Sequence, residues 1–298
     1  MITVSCPGSI NILGEHALIR GGQGIRLAVN RFVTVSVQTT QQSGICISSR
    51  LGDFSGTLTD LNEKPAFSYI TQILTFFNCD GGLQITIEDD LPSDVGLGSS
   101  AAVSTALVKA ISQLNGREMS KAELLSTVKT IVKKSQSGIG SGIDVAASVY
   151  GGMVLYDPKK EDISALPLPP GITILTSGVK VPTARVVQHV NGQNHPESLF
   201  QEMMRITVEG AAHAKKENWH LFGQSMLAYN DCMKILKLNT DKLDELQKTL
   251  TRAEGVYGAK IAGAGLGDSV IGIGAQGHDD SFKKHPAFVR AEAFCYAG

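Results

Sequence analysis

The stretch Leu91-Pro92-Ser93-Asp94-Val95-Gly96-Leu97-Gly98-Ser99-Ser100-Ala101-Ala102 hands a glycine-bearing loop to Val103–Val108, which reads as a buried helix. That handover is what an anion site requires. Gly96 and Gly98 let the backbone approach a ligand with no Cβ in the way. The first helical turn offers unpaired N–H groups and the positive end of the helix dipole. The hydroxyls of Ser99 and Ser100 can donate to a phosphate oxygen or ligate a magnesium ion. The residue order is not G-x-x-x-x-G-K-[ST], so the common P-loop is excluded. A glycine turn with a serine N-cap would also account for these residues without any ligand.

Three further segments carry chemistry-bearing residues: Pro7-Gly8-Ser9-Ile10-Asn11-Ile12-Leu13-Gly14-Glu15-His16, Gly140-Ser141-Gly142-Ile143-Asp144, and Lys260-Ile261-Ala262-Gly263-Ala264-Gly265-Leu266-Gly267-Asp268-Ser269. With the glycine loop, and in this order, they resemble the galactokinase, homoserine kinase, mevalonate kinase and phosphomevalonate kinase superfamily, the GHMP kinases. The resemblance runs from about Pro7 to Gly272. It implies an ATP- and magnesium-dependent kinase for a small hydroxylated metabolite. Such chemistry needs the triphosphate held, its charge neutralised and the acceptor hydroxyl placed in line. Gly96, Leu97, Gly98, Ser99, Ser100 and Ala101 are then expected to hold ATP, with Ser100 on magnesium and Ser99 on a phosphate oxygen, or the reverse. Asp144 is the expected base; its plain alternative is an acid stabilised by a helix dipole. Ser9, Glu15 and His16 are expected to line the acceptor pocket, Thr183 to meet the acceptor, and Gly263 and Gly265, with Gly267, to form a tight loop against the phosphates or the acceptor. Thr183 could equally cap a helix, and the three glycines from 263 to 267 could form a plain hairpin turn.

Two departures from the family pattern matter. Ser9 stands where mevalonate kinases carry a lysine and galactokinases an arginine, so the cation that would stabilise developing charge at the acceptor site must come from elsewhere, with Lys180 as one source. On that ground a Ser9→Lys change is expected to be tolerated and able to raise activity. Many relatives also carry a magnesium-ligating glutamate before the Ser-Gly-x-Asp segment. Here Lys129–Gln136 holds no carboxylate, which leaves Ser100, phosphates, water or Asp94. Within the superfamily, Gly14-Glu15-His16-Ala17 looks like mevalonate kinase, whereas Gly140–Gly151 and Gly265–Asp268 look closer to phosphomevalonate kinase. Mevalonate, on the way to isoprenoid precursors, is the first expectation, with phosphomevalonate and then a sugar as alternatives. A phosphorylated acceptor would need added cations, and Arg20, Arg26, Lys180 and Arg185 are the residues at hand. A kinase-derived protein that binds a metabolite without turning it over is the reading from another class.

The elements that must position these residues follow from periodicity. Strands are expected at Ile2–Cys6, Ile25–Val29, Phe32–Val37, Ile45–Ser48 and Leu83–Ile87. Helices are expected at about 66–77, 99–114, 120–135 and 142–149, then a short strand at Met153–Tyr156. Asp157–Gly171 is charged and then proline-rich, which suggests a linker. A strand at 172–176, helices near 196–216, 218–236 and 240–254, strands near 258–261 and 269–273, a helix near 279–290 and a strand near 293–297 complete the chain. The pattern is α+β, divided into domains at 1–165 and 166–298. The resemblance implies a domain like domain 2 of ribosomal protein S5 followed by a ferredoxin-like domain.

Composition excludes several classes. With 298 residues, 42% hydrophobic and a net charge of −1, the chain can bury a substantial core and makes no case for nucleic acid or a membrane surface. No apolar run spans a bilayer. Met1–Glu15 lacks the charged and apolar regions of a signal peptide. The five scattered cysteines form no C-x-x-C pair, as in a reduced cytoplasmic protein. A homodimer is compatible with all of this.

Overall fold

The computed structural model describes residues 1–135 and 141–296, so Gly140 of the third segment lies outside the described residues. Along the chain the elements are β1 (Ile2–Leu13), β2 (Gly24–Thr39), β3 (Ile45–Ser49), β4 (Phe54–Gly56), α1 (Leu58–Asn62), α2 (Ser68–Phe76), β5 (Leu83–Asp89), α3 (Ser99–Leu114), α4 (Lys121–Ser135) and α5 (Ile143–Tyr150). They continue with β6 (Met153–Asp157), β7 (Asp162–Leu166), β8 (Gly171–Thr176), α6 (Thr183–Asn191), α7 (Glu197–Lys215), α8 (Trp219–Ile235), α9 (Asp241–Thr251), β9 (Val256–Ala262), β10 (Ser269–Gly274) and β11 (Phe288–Val289). No helix among the described residues is long and apolar enough to cross a membrane.

The chain forms two compact units that interleave along the sequence. The first takes Met1–Gly8, Arg31–Leu91 and Gly98–Tyr150; the second takes Ser9–Asn30, Pro92–Leu97 and Gly151–Gly298. This differs from a single cut between 165 and 166, which would fall inside β7. The segment that reads as a linker holds that strand, paired with β6 from Asp157↔Asp162 to Met153↔Leu166.

In the first unit, β5 lies between β3, parallel to it, and the second half of β2, antiparallel. Val33, Val35 and Val37 of β2 and Leu83, Ile85 and Ile87 of β5 are buried, the period-two alternation of a sheet with one covered face. Helix α3 packs with α2, α4 and α5. Its small and aliphatic residues, Ala101 to Ile111, are buried nearly all round, which makes it the core helix of this unit.

In the second unit, β11-β8-β10-β9 form an antiparallel sheet with α8 and α9 packed against it and α7 against α8. Helix α8 comes unusually close to β9. A Cβ built at Gly258 would sit 2.2 Å from the Gly223 carbonyl oxygen, so this crossing requires glycine on both elements.

The structure departs from periodicity in a few places. The two strands expected at 25–29 and 32–37 are one strand, β2. Its polar Asn30-Arg31 step is where the partner changes, from β6 at Gly24–Leu27 to β5 at Val33–Thr39. The helix expected at 279–290 shrinks to a 3₁₀ turn at His278–Phe282, because Pro286 keeps its predecessor out of the helical region. Near the C-terminus, among the described residues, Ala293 makes a bridge to Val29, and position 297 of the expected last strand lies outside the described residues.

Candidate active site

Gly98 adopts the left-handed conformation (φ 67°) and caps α3, which opens with Ser99. Ala101 and Ala102 both bond back to the Gly98 carbonyl, while the N–H groups of Ser99 and Ser100 have no backbone partner among the described residues. These are the orphan donors an anion would meet. The two serines differ. Ser99 Oγ donates to Asp89 Oδ2 at 2.7 Å, so its single proton is committed. The exposed Ser100 hydroxyl is engaged by no described residue. Of the two, Ser100 is the hydroxyl open to a ligand.

Asp144 stands in the first turn of α5, half-buried. Its Oδ1 accepts the N–H of Val145 at 3.0 Å. Gly142 before it is left-handed (φ 79°), and a Cβ there would press on the Lys129 side chain at 3.0 Å, so the turn leading into Asp144 depends on glycine. Ser148 of α5 donates to the Pro7 carbonyl at 3.0 Å, which fastens the helix carrying the acid to the first of the four segments.

The second unit holds the rest of that first segment. Ser9 donates its N–H to the Leu97 carbonyl of the glycine loop at 2.8 Å. Its fully buried side chain accepts from Arg26 Nε at 2.8 Å, and the same guanidinium donates to the Ser9 carbonyl (2.9 Å) and to Asn11 Oδ1 (2.9 Å). A cation is therefore already seated against position 9, and it is Arg26 rather than Lys180. This reverses the expectation for Ser9→Lys. The new ammonium would have no room and a like charge beside it. Overpacking alone costs about 1–3 kcal/mol, so the variant is expected to lose urea stability by at least that and to gain no turnover. An unchanged urea midpoint would show that the pocket at Ser9 is open.

Glu15 and His16 are both buried. Lys260, fully buried on β9, reaches Glu15 Oε1 at 2.7 Å, and Tyr229 donates to the Glu15 carbonyl at 2.5 Å. Burial pulls Lys260 below its ordinary value of 10.5, against the attraction of Glu15. Burial likewise lowers His16 below 6.5, which outweighs its hydrogen bond to Ala264. A neutral imidazole that bonds the Ala264 carbonyl through Nε2, at 2.8 Å, must carry its proton there. Nδ1 is then a bare acceptor, and it has no partner among the described residues. It can take a hydrogen bond from a ligand hydroxyl.

The Gly263–Asp268 segment is the turn between β9 and β10, so it is a hairpin whatever else it does. Gly263 (φ 77°) and Gly265 (φ 99°) are left-handed, and so are Leu266 and Asp268, at φ 63° and 61°. The Asp268 carboxylate packs against Gly96, where a Cβ would meet Oδ2 at 2.8 Å. Lys180 pairs with its other oxygen at 3.0 Å. Burial pushes the Asp268 carboxyl above its ordinary value despite Lys180. Two glycine segments far apart in sequence thus meet in this unit.

Thr183 is exposed and is the first residue of α6; Pro182 holds the N-cap position, and no side chain caps this helix. Its hydroxyl is not the cap. Arg20 lies over the Phe200 ring at 3.7 Å and donates to Asn191 Oδ1 at 3.1 Å. Of the four cations weighed for a phosphorylated acceptor, Arg20, Arg26 and Lys180 are engaged by protein groups. Sequence reasoning passed over Asp89, Asp268 and Lys260. The last left a trace, a lone lysine in the otherwise uncharged strand Val256–Ala262.

For magnesium, no group of three or more His, Cys, Asp or Glu side chains among the described residues could hold a metal by itself. Magnesium does not need one. It keeps several waters and binds nucleotides through one or two protein oxygens and the phosphates. The open Ser100 hydroxyl at the start of α3 fits that requirement. Glu123, on α4, is committed to a capping box with Ser120.

The model of the GHMP kinases N terminal domain matches residues 66–152, and that of the GHMP kinases C terminal domain matches 211–285, together just over half of the chain. The mevalonate kinase of Aeropyrum pernix is 29% identical over 288 residues, spanning 92% of this chain and 88% of that protein. Among solved structures, the mevalonate kinase of Methanococcus jannaschii superposes with a TM-score of 0.81 at 22% identity, covering 98% of each chain. The phosphomevalonate kinase of Streptococcus pneumoniae, in complex with phosphomevalonate and AMPPNP, superposes with a TM-score of 0.84 at 17% identity, covering 99% of this chain and 100% of that one. The fold is common to both activities and does not separate them.

Proposed function

We propose that this chain, which belongs to the GHMP kinase superfamily, transfers the γ-phosphoryl group of ATP to a hydroxyl of mevalonate. The observation that carries the kinase reading is the opening of α3: a left-handed glycine, two unpaired N–H groups and an uncommitted serine hydroxyl, presented at the positive end of a buried helix. In this reading Ser100 would hold magnesium, which would supply charge neutralisation at the phosphates when bound. Asp144 receives the proton of the acceptor hydroxyl as its oxygen bonds to the γ-phosphorus and the bond to the β-phosphate oxygen breaks, releasing ADP. The bare Nδ1 of His16 accepts from a hydroxyl of the acceptor and so orients it. Arg26 supplies the positive charge at Ser9 that stabilises developing negative charge.

Mevalonate is favoured over phosphomevalonate for two reasons. Relatives from Aeropyrum pernix and Pyrococcus furiosus that match over nine-tenths of the chain carry the name mevalonate kinase. Three of the four cations weighed for a second phosphate are already engaged within the protein, Arg20 by Phe200 and Asn191, Arg26 by Ser9 and Asn11, and Lys180 by Asp268, which leaves Arg185. The expected result is a kcat/KM for mevalonate at least tenfold above that for phosphomevalonate at one ionic strength, about 1.4 kcal/mol of transition-state binding. A preference for phosphomevalonate would overturn the acceptor assignment. No ADP release with mevalonate, phosphomevalonate or galactose would favour a metabolite-binding protein instead.

A further inference from the structure

Both ends of the Leu91–Ser99 loop are tied to one ion pair in the first unit. Asp89 Oδ1, at the end of β5, accepts the N–H of Leu91 at 2.9 Å. Its Oδ2 accepts the Ser99 hydroxyl proton at 2.7 Å and Arg50 Nη2 at 3.0 Å. Arg50, just after β3, donates through Nη1 to the Leu91 carbonyl at 2.7 Å. One carboxylate thus takes a backbone donor from the start of the loop and a side-chain donor from its end, and one guanidinium braces both the carboxylate and the loop. The Asp89 side chain is only 7% exposed, whereas that of Arg50 is 48% exposed.

We propose that Arg50 and Asp89 are positioning residues for nucleotide binding: a clasp that holds the first turn of α3 where its N–H groups and the Ser100 hydroxyl can meet the triphosphate. The proposal rests on the kinase reading above. Seven residues, Pro92–Gly98, run between the tied ends, and three of them are glycine or proline. The middle of the loop is held by the Ser9 N–H on the Leu97 carbonyl and by Ser269 Oγ on the Val95 carbonyl; its two ends, without the clasp, would have conformational entropy to lose when a ligand is bound. A loop ordered before ATP arrives does not incur that cost on binding. The tie to Ser99 also separates the two serines. The first is spent on the clasp through its proton, and the second is left for the ligand. Burial, and after it the Asp89 charge, raise the phenol of Tyr69 to about 12. Arg50 is the group that balances that charge.

The test is the affinity for AMPPNP with magnesium, measured by calorimetry without any acceptor on wild type, Arg50→Met, Arg50→Lys and Asp89→Asn, with urea midpoints in parallel. Arg50 is half-exposed, so its variants should remain folded. The clasp predicts that Arg50→Met weakens AMPPNP tenfold or more. Arg50→Lys, which keeps the charge but loses the fork that reaches both acceptors, should fall between it and wild type. In turnover, KM for ATP should rise more than kcat falls, while KM for mevalonate moves less than threefold. Wild-type AMPPNP affinity in a folded Arg50→Met overturns the proposal, as does a loss of stability with no change in the ratio of the two KM values. Wild-type protein that binds no AMPPNP overturns the kinase reading itself, a result separate from either of these.

Discussion

Asp144→Asn is expected to keep the fold and lose on the order of 10²–10⁴ in kcat. The amide is nearly isosteric, and Asn can still accept the Val145 N–H through its Oδ1, so the first turn of α5 should survive. It cannot accept the proton of the acceptor hydroxyl. The readout is kcat at saturating ATP and mevalonate, beside the urea midpoint. KM for ATP should change little, since nothing in the reading gives Asp144 a contact with the adenosine end. A folded variant with wild-type kcat would remove Asp144 from the mechanism. In the proposed mechanism Arg26 contributes to the same step. Its charge is held by three hydrogen bonds to Ser9 and Asn11, so it is positioned without any reorganisation during turnover.

Lys260→Met should cost about 3–5 kcal/mol of stability, the penalty typical of stripping one partner from a buried ion pair. That is a large part of the roughly 5–15 kcal/mol by which domains are stable. The substitution leaves the Glu15 carboxylate buried, with Oε1 newly unpaired and Oε2 already without a partner among the described residues. Adding Glu15→Gln should return much of the loss, because an uncharged pair of similar volume carries little desolvation penalty. The check is a double-mutant cycle in urea, in which the two changes must be strongly non-additive. Additive losses would show that Lys260 and Glu15 do not depend on one another. Activity should not return with stability in the double variant. The Gly14-Glu15-His16 turn hangs on this pair, on the Tyr229 bond to the Glu15 carbonyl and on the His16 bond to Ala264.

Much of the architecture was legible from local pattern. The period-two alternation of β5, the small-residue run of α3 and the long amphipathic repeats of α7, α8 and α9 lie within a few residues of where periodicity puts them. Local pattern failed where a tertiary partner overrode it. β2 runs through Asn30-Arg31 because β6 and β5 take it up in turn. β7 forms inside a charged, proline-bearing segment because β6 is there to pair with it. The 3₁₀ turn at His278–Phe282 ends early because a proline follows.

The sequence by itself determined the chemistry on offer: glycines placed before a helix start, serines at its first turn, an acid at the first turn of another helix, and the four ordered segments that point to the superfamily. These are local properties, set by residue type and short spacing, and they need no knowledge of how strands align. The tertiary structure decided which charged groups meet which partners. Ser9 and Arg26 are seventeen positions apart, Glu15 and Lys260 are 245 apart, and Arg50 meets Asp89 and Leu91 across about forty. Such pairs depend on strand pairing and register, and a slip of one residue would turn a strand's side chains to the opposite face. Composition and spacing carry no record of that register, so the cation at Ser9 could be recognised as missing but not found until the strands were paired.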